Sequence, residues 1–372
     1  MEKEVVVDHL TKKFGSLAAV NDISFDVDNG DFFLIIGPSG CGKTTTLRCL
    51  MGLETPTSGT IYMGGKDVTN LPTHKRDISL VFQNFALFPH KTVAENIAFG
   101  LRMRGYTPDK IKSEVEEIMR ITRLEGLGNR YPKELSMGQQ QRVALARSLV
   151  VEPGVLLMDE PLGNLDYRLQ QRMEVELKLI HEKVGLTFVY VTHNQEQAMA
   201  LAKRIMIMNH GIIEQIGSPD DVYKKPASIF VAKFVGEINM LRGEVEAVKD
   251  DIAKVRTAIG TLEAELKGMK FKEKHLAYAV RPEIITIGPR AKEHVNRVEA
   301  KYLGQIYKGS DVMYMAQLPT GEVFKIVKQG EDMVDLSGAE KIQLGWDPQD
   351  AILIEKPSAV PGIDIDRILL GA

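Results

Sequence analysis

Cysteine is nearly absent: a chain of 372 residues carries two, Cys41 and Cys49. Eight residues apart along what reads as one helical run, they are separated by about 12 Å, too far for a disulfide. Two free thiols suit a reducing compartment such as the cytosol. No apolar run approaches the roughly 18–20 residues that a membrane-crossing helix requires. Charge of one sign is missing too. With 47 basic and 50 acidic residues the formal net charge is −3, which gives no electrostatic reason to expect a nucleic-acid partner. The opening Met-Glu-Lys-Glu-Val-Val-Val-Asp mixes charge with β-formers and does not read as a secretory signal. Low-complexity tracts and repeats of 20–50 residues are lacking, which excludes solenoids and disordered linkers. What remains is the composition of a soluble globular protein, long enough for two domains.

The most informative run that is present is Gly37-Pro38-Ser39-Gly40-Cys41-Gly42-Lys43-Thr44, a match to G-x-x-x-x-G-K-[ST]. Asp31 to Ile36 before it is short, apolar and aromatic, as a buried strand is, and Thr45 to Gly52 after it runs on without a breaker. Strand, glycine loop and helix form a phosphate cradle. The glycines let successive backbone N–H groups turn inward, and the helix N-terminus adds partial positive charge. Lys43 can then reach the outer phosphates of a nucleoside triphosphate. The Thr44 hydroxyl can ligate Mg²⁺, and Thr45 beside it completes the nucleotide-binding run.

The rest of the first part reads as α/β. Glu4–Leu10, Ile23–Val27, Gly59–Met63 and Ile78–Phe82 are strand candidates. From about residue 90 to 150 the pattern turns helical: Thr107 precedes Pro108, and Ile111, Val115, Ile118, Met119 and Leu124 keep a helical apolar spacing. Val155–Met158 and Leu186–Val191 return as buried strands, so this helical subdomain interrupts a parallel sheet. From about residue 236 the pattern becomes short strands between Gly, Pro and charged turns: Leu241–Val248, Ile252–Ala258, Leu276–Val280, Val298–Tyr302, Val312–Leu318, Val323–Val327 and Ile342–Leu344. The expected architecture is an α/β P-loop NTPase domain over residues 1–235, followed by a small all-β (OB-like) barrel over 236–372.

Two further motifs carry chemistry. Val155 to Glu160 is an apolar strand ending in two carboxylates, delivered to the sheet edge beside the phosphate loop. Asp159 can hold Mg²⁺, and Glu160 can accept a hydrogen bond from an attacking water and serve as general base. Leu135-Ser136-Met137-Gly138-Gln139 opens a helix in which Ser136 is a natural N-cap, a second anion-binding helix end. One nucleotide rarely needs two distant helix ends from one subunit. A second copy supplying Ser136 and Gly138 to its neighbour's phosphate is the economical reading, and it implies a head-to-tail homodimer.

Together these motifs resemble the ATP-binding subunits of ABC transporters along essentially the whole chain. The resemblance implies that Phe14 stacks on adenine. It implies that Gln83 touches Mg²⁺ and the attacking water, and that Ser136 to Gln139 is the signature motif acting in trans. By the same resemblance Asp166 crosses the dimer interface and His193 contacts the γ-phosphate. Without a membrane span, such a subunit sits peripherally at the cytoplasmic face of the cell membrane. There it serves two membrane permease subunits, which dock near Gln83–Pro89, and an extracytoplasmic solute-binding protein. Two positions depart from the family pattern: Met137 replaces the first glycine of the signature, and Gly163 replaces the serine that usually opens the interface loop. If position 137 needs φ > 0, methionine is strained there.

Arg281-Pro282-Glu283, Tyr302-Leu303-Gly304 and Gly345-Trp346 resemble the β-barrel (TOBE/MOP-like) appended to importer ATPases, with a regulatory or dimerising role. Gly236-Glu237-Ile238-Asn239-Met240, Leu165 to Leu169 and Leu186 to Val189 resemble the spermidine/putrescine ATPases. The expected cargo is therefore polyamine, with sugar (maltose-type oligosaccharide or glycerol-phosphate) as the alternative. A non-transport ABC ATPase would usually carry a coiled-coil insertion, a fused second ATPase or a basic surface. A P-loop kinase or GTPase leaves Phe14, Ser136–Gln139 and His193 together unexplained.

Overall fold

A computed structural model describes residues 2–163, 165–269 and 273–361. It divides into two compact units between Pro219 and Asp220.

In the first unit, β1 (Lys3–Phe14) and β2 (Leu17–Asp28) form a long hairpin, and β3 (Phe32–Ile36) leads into α1 (Lys43–Met51). β4 (Ser58–Met63), β5 (Lys66–Asp67) and β6 (Ile78–Val81) follow. Three helices come next: α2 (Val93–Met103), α3 (Pro108–Ile121) and α4 (Met137–Leu149). The unit closes with β7 (Val155–Asp159), α5 (Tyr167–Val184), β8 (Thr187–Val191), α6 (Gln195–Leu201), β9 (Arg204–Asn209) and β10 (Ile212–Gly217).

The strands form two sheets rather than one. A four-stranded antiparallel sheet runs β2-β1-β4-β5, and a six-stranded sheet runs β10-β9-β3-β8-β7-β6. In the larger sheet only β10 is antiparallel to its neighbour. Its inner strands read as unbroken apolar runs because both faces are covered; all five residues of β3 and of β8 are buried. One core cluster joins Val5, Val7 and Ile61 of the smaller sheet, Phe33 and Ile35 of the larger, and Leu47 and Leu50 of α1. On α3, Val115, Ile118 and Met119 are buried and Ile111 half-buried, as their spacing predicts. Thr107 sits at the N-cap position, but its side chain makes no capping hydrogen bond.

α7 (Pro219–Lys224) begins at the division, and α8 (Ile229–Phe234) follows it in the second unit. Its strands are β11 (Asn239–Lys249), β12 (Ile252–Thr257), β13 (Gly260–Glu265), β14 (His275–Val280) and β15 (Thr286–Ile287). β16 (Asn296–Tyr307), β17 (Asp311–Gln317), β18 (Val323–Gln329), β19 (Lys341–Trp346) and β20 (Ile352–Ile354) complete it. They form two five-stranded antiparallel sheets, β13-β12-β11-β14-β20 and β15-β19-β16-β17-β18, around one core. Trp346, fully buried, donates its indole N–H to the Tyr278 hydroxyl at 2.8 Å.

The units divide sixteen residues before the shift in pattern at Gly236, because α8 packs on the β-sheet. Ile229 and Ala232 share a buried cluster with Ala277, Ala279 and Ile354. Arg281 seals this arrangement. It is 1% exposed, donates to the carbonyls of Ala232, Val235, Glu237 and Tyr223, and stacks 4.0 Å from the Tyr223 ring.

Candidate functional site

The phosphate loop leaves the buried strand β3 at Gly37. A Cβ at Gly37 would stand 2.2 Å from the Met208 carbonyl oxygen, and one at Gly42 would stand 2.4 Å from that of Ala19. Both residues also have φ in the left-handed region, at +154° and +106°, so space and backbone together demand glycine. Pro38 is half-buried, Ser39 and Gly40 are exposed, and Cys41 is buried behind them. Lys43 starts α1 and is 7% exposed, with its ammonium donating to the carbonyls of Gly37 at 2.8 Å and Pro38 at 2.9 Å. The cation is thus held inside the loop's own curve. Thr44 is exposed and Thr45 half-buried on the first turn of α1, which carries no acidic residue to offset the helix dipole.

β7 ends at Asp159, and burial, reinforced by the neighbouring Glu160, pushes the Asp159 carboxyl above its ordinary pKa. Arg48 and Lys43 pull it back. Glu160 adopts φ +45°, uncommon for a residue with a Cβ, and its N–H donates to the Val191 carbonyl at 3.0 Å. That turn aims its carboxylate at His193, whose Nδ1 lies 3.1 Å from Glu160 Oε1. His193 follows β8 in a turn fixed by buried Gln197, whose Oε1 accepts from Thr192 at 2.8 Å and from Tyr190 at 3.1 Å. A Cβ at Gly163 would lie 3.3 Å from Gln83 Nε2 and 3.7 Å from Glu160 Oε2. Gln83, Glu160 and Gly163 therefore converge, and glycine at 163 leaves the two side chains room.

Ser136, exposed, caps α4: its Oγ accepts from the Gln139 N–H at 3.3 Å, and Gln139 Oε1 accepts from the Ser136 N–H at 2.9 Å. Met137 is the first residue of α4 and has no positive φ, so the strain that a left-handed backbone would impose does not arise. Its side chain points outward, 43% exposed. Gly138 is buried against Leu169 of α5. Asp166 caps α5 by accepting from the Leu169 N–H at 3.0 Å. Among the described residues, no hydrogen bond or ion pair joins Ser136, Gly138, Gln139 or Asp166 to the phosphate loop of the same chain. Phe14 ends β1 with 48% of its surface exposed, and the Lys12 ammonium sits 5.0 Å from its ring centre.

The segment after Gln83 is pinned by residues that motif reading does not reach. Asn96 of α2, fully buried, accepts from the Phe88 N–H at 2.8 Å and donates to the carbonyls of Phe88, Lys91 and Thr92. The Thr92-to-Glu95 capping box just before it was a readable signal for the start of α2.

Among the described residues, no three His, Cys, Asp or Glu side chains cluster closely enough to hold a metal by themselves. The oxygen donors of Thr44, Gln83 and Asp159 suit a hard cation whose remaining ligands are phosphate oxygens. Among the same residues no helix is long and apolar enough to cross a membrane.

Residues 20–163 match the family described as ABC transporter, and residues 278–354 match the TOBE domain. The chain is 41% identical to the spermidine/putrescine import ATP-binding protein PotA of Rubrobacter xylanophilus, over 94% of this chain and 93% of that one. It is 43% identical to the Fe(3+) ions import ATP-binding protein FbpC of Brucella suis, over 91% and 95%. Among solved structures it resembles a dimeric post-hydrolysis state of the ATP-binding cassette MJ0796 bound to ADP and Pi. That match has a TM-score of 0.50 and 31% identity, and covers 58% of this chain and 98% of that one. It also resembles cbiO1 from Clostridium perfringens, part of the transporter complex cbiONQ, with a TM-score of 0.57 and 26% identity over 63% and 93%.

Proposed function

The chain belongs to the ATP-binding subunits of ABC importers, which are ATPases carrying a C-terminal TOBE domain, and from that premise we propose that it drives polyamine uptake. The observation that carries the polyamine reading is the 41% identity to the spermidine/putrescine import ATP-binding protein, with the resemblance of the junction motif beside it. Glu237 pairs with Lys325 at 2.9 Å, and Asn239 exchanges two 2.8 Å hydrogen bonds with the Lys325 backbone, so Gly236–Met240 is a built feature of the second unit. A second reading, ferric iron, is supported by the 43% identity to the FbpC protein. Solute choice lies with the membrane and binding-protein partners, so the deciding experiment uses the assembled transporter. ATP hydrolysis is measured with the solute-binding protein and spermidine, putrescine, Fe³⁺ or an oligosaccharide. Stimulation by a polyamine supports the first reading, and stimulation by Fe³⁺ alone replaces it with the second.

At the site, Lys43 and the loop N–H groups receive the phosphates, and Phe14 stacks on adenine. Thr44, Gln83 and Asp159 hold Mg²⁺, which supplies charge neutralisation to the phosphates when bound. Glu160 accepts a proton from the attacking water, and His193, 3.1 Å from Glu160, contacts the terminal phosphate and helps neutralise its charge. Ser136, Gly138, Gln139 and Asp166 serve the nucleotide of a second copy across a homodimer. That, among the described residues, none of them hydrogen-bonds or ion-pairs to the loop of its own chain supports this division. The stretch Gln83–Pro89, in which Gln83, Asn84, Ala86 and Pro89 are exposed, is where the two permease subunits dock at the inner face of the membrane.

A further inference from the structure

α4 has a phosphate-facing end and a second end that no motif describes. Its N-terminus is capped by Ser136, and about 16 Å away, on its last turn, Arg147 reaches out of the helix. One guanidinium nitrogen donates to the Ala86 carbonyl at 2.7 Å and the other to that of Phe85 at 2.9 Å. The group also lies 5.6 Å from the centre of the Phe88 ring. Among the described residues no carboxylate pairs with Arg147, so its charge rests on these two backbone oxygens and one ring face. Phe85 and Ala86 both adopt left-handed backbone, with φ +60° and +45°, although neither is glycine. Phe85 is buried at 3%, so the turn cannot relax outward. Ser148, next to Arg147, donates to the Leu80 carbonyl of β6 at 3.0 Å. The end of α4 thus grips the chain on both sides of Gln83.

We propose that Arg147 is a positioning residue that holds the strained Phe85–Ala86 turn in its docking shape and ties it to α4. Movement of the Ser136 end is then delivered to the surface that the permease contacts. The proposal rests on the reading that Gln83–Pro89 faces the membrane subunits. A planar fork is needed because it meets two carbonyls at once, which a lysine ammonium on a flexible stem does not do in fixed geometry.

The test uses Arg147→Lys in the full transporter, with Arg147→Met beside it. Basal ATP hydrolysis by the free subunit stays within about twofold of the parent, since nothing at the nucleotide has changed. Hydrolysis stimulated by the loaded binding protein, and solute uptake, fall about tenfold, the size of an ordinary coupling between sites. Adding Ala86→Gly to Arg147→Lys restores part of the loss, because glycine adopts the left-handed turn unaided. Unchanged stimulated hydrolysis overturns the proposal. So does an equal fall in basal and stimulated rates, which would make Arg147 a residue of the fold or of the nucleotide site. A Pro89→Cys chain with native Arg147 separates the two readings: failure to cross-link to a membrane subunit removes the docking assignment itself.

Discussion

Glu160 occupies a backbone conformation that residues with a Cβ avoid at a cost of about 1–2 kcal/mol. The same carboxylate lies 3.1 Å from His193 Nδ1, and on the proposed mechanism it is the base. Replacing it with glutamine keeps the shape and removes the proposed base. Glu160→Gln should lower ATP turnover by about a hundredfold or more while ATP binding persists, as measured by single-turnover kinetics and nucleotide filter binding. Cys41 and Cys49 follow a different logic. Burial raises the Cys41 thiol above its ordinary pKa and pushes Cys49 up to about 11. Because the thiolate is the nucleophile, iodoacetamide near neutral pH should modify the folded chain at least about tenfold more slowly than the unfolded one. The rate should climb as pH approaches the raised values, and bound ATP should slow Cys41 further. Fast labelling of the folded chain near neutral pH would show an open loop.

At the scale of elements, the phosphate loop was readable because strand, glycines, lysine and helix are contiguous, and each obeys a local rule. The same holds for β7 with Asp159 and Glu160, and for the Ser136 capping box. Pairing was less readable. β3 lies between β8 and β9, and the hairpin β1–β2 belongs to a separate antiparallel sheet, because neighbours far apart in sequence decide which strands meet. β5, β9, β10, β13, β15 and β20 carry no clear sequence signal; β5, β15 and β20 are only two or three residues long. The loop after Gln83 shows the same limit: its guanidinium anchor is 61 residues from Ala86. Asn96 makes its contacts from within an apolar helix face, where only three-dimensional packing shows what it satisfies. Asn96→Ala would leave a backbone N–H and several carbonyls without their partner. It should destabilise the first unit by about 2–4 kcal/mol in a denaturant titration, whereas an exposed Asn84→Ala should change little.

At the scale of the whole molecule, the chain has two separately cored units, and its boundary follows side-chain packing rather than composition. The carbonyls that satisfy Arg281 lie at Tyr223, Ala232, Val235 and Glu237. A fragment beginning at residue 220 keeps all of them; one beginning at 236 loses three and strands a buried cation. The longer fragment should therefore melt cooperatively and the shorter one should be several degrees less stable or insoluble, by calorimetry or circular dichroism. Equal melting would place the boundary at the Gly236 junction instead. The central claim, an ATPase site completed by a second copy, is tested most directly by ATP hydrolysis in a mixing experiment. Lys43→Ala removes the loop's cation, and Ser136→Arg blocks the end of α4 that serves the partner. Each variant alone should be near background, and the mixture should regain hydrolysis, because mixed dimers rebuild one intact site. Wild-type turnover by Ser136→Arg alone, or a mixture no more active than its parts, would contradict a site shared between two copies.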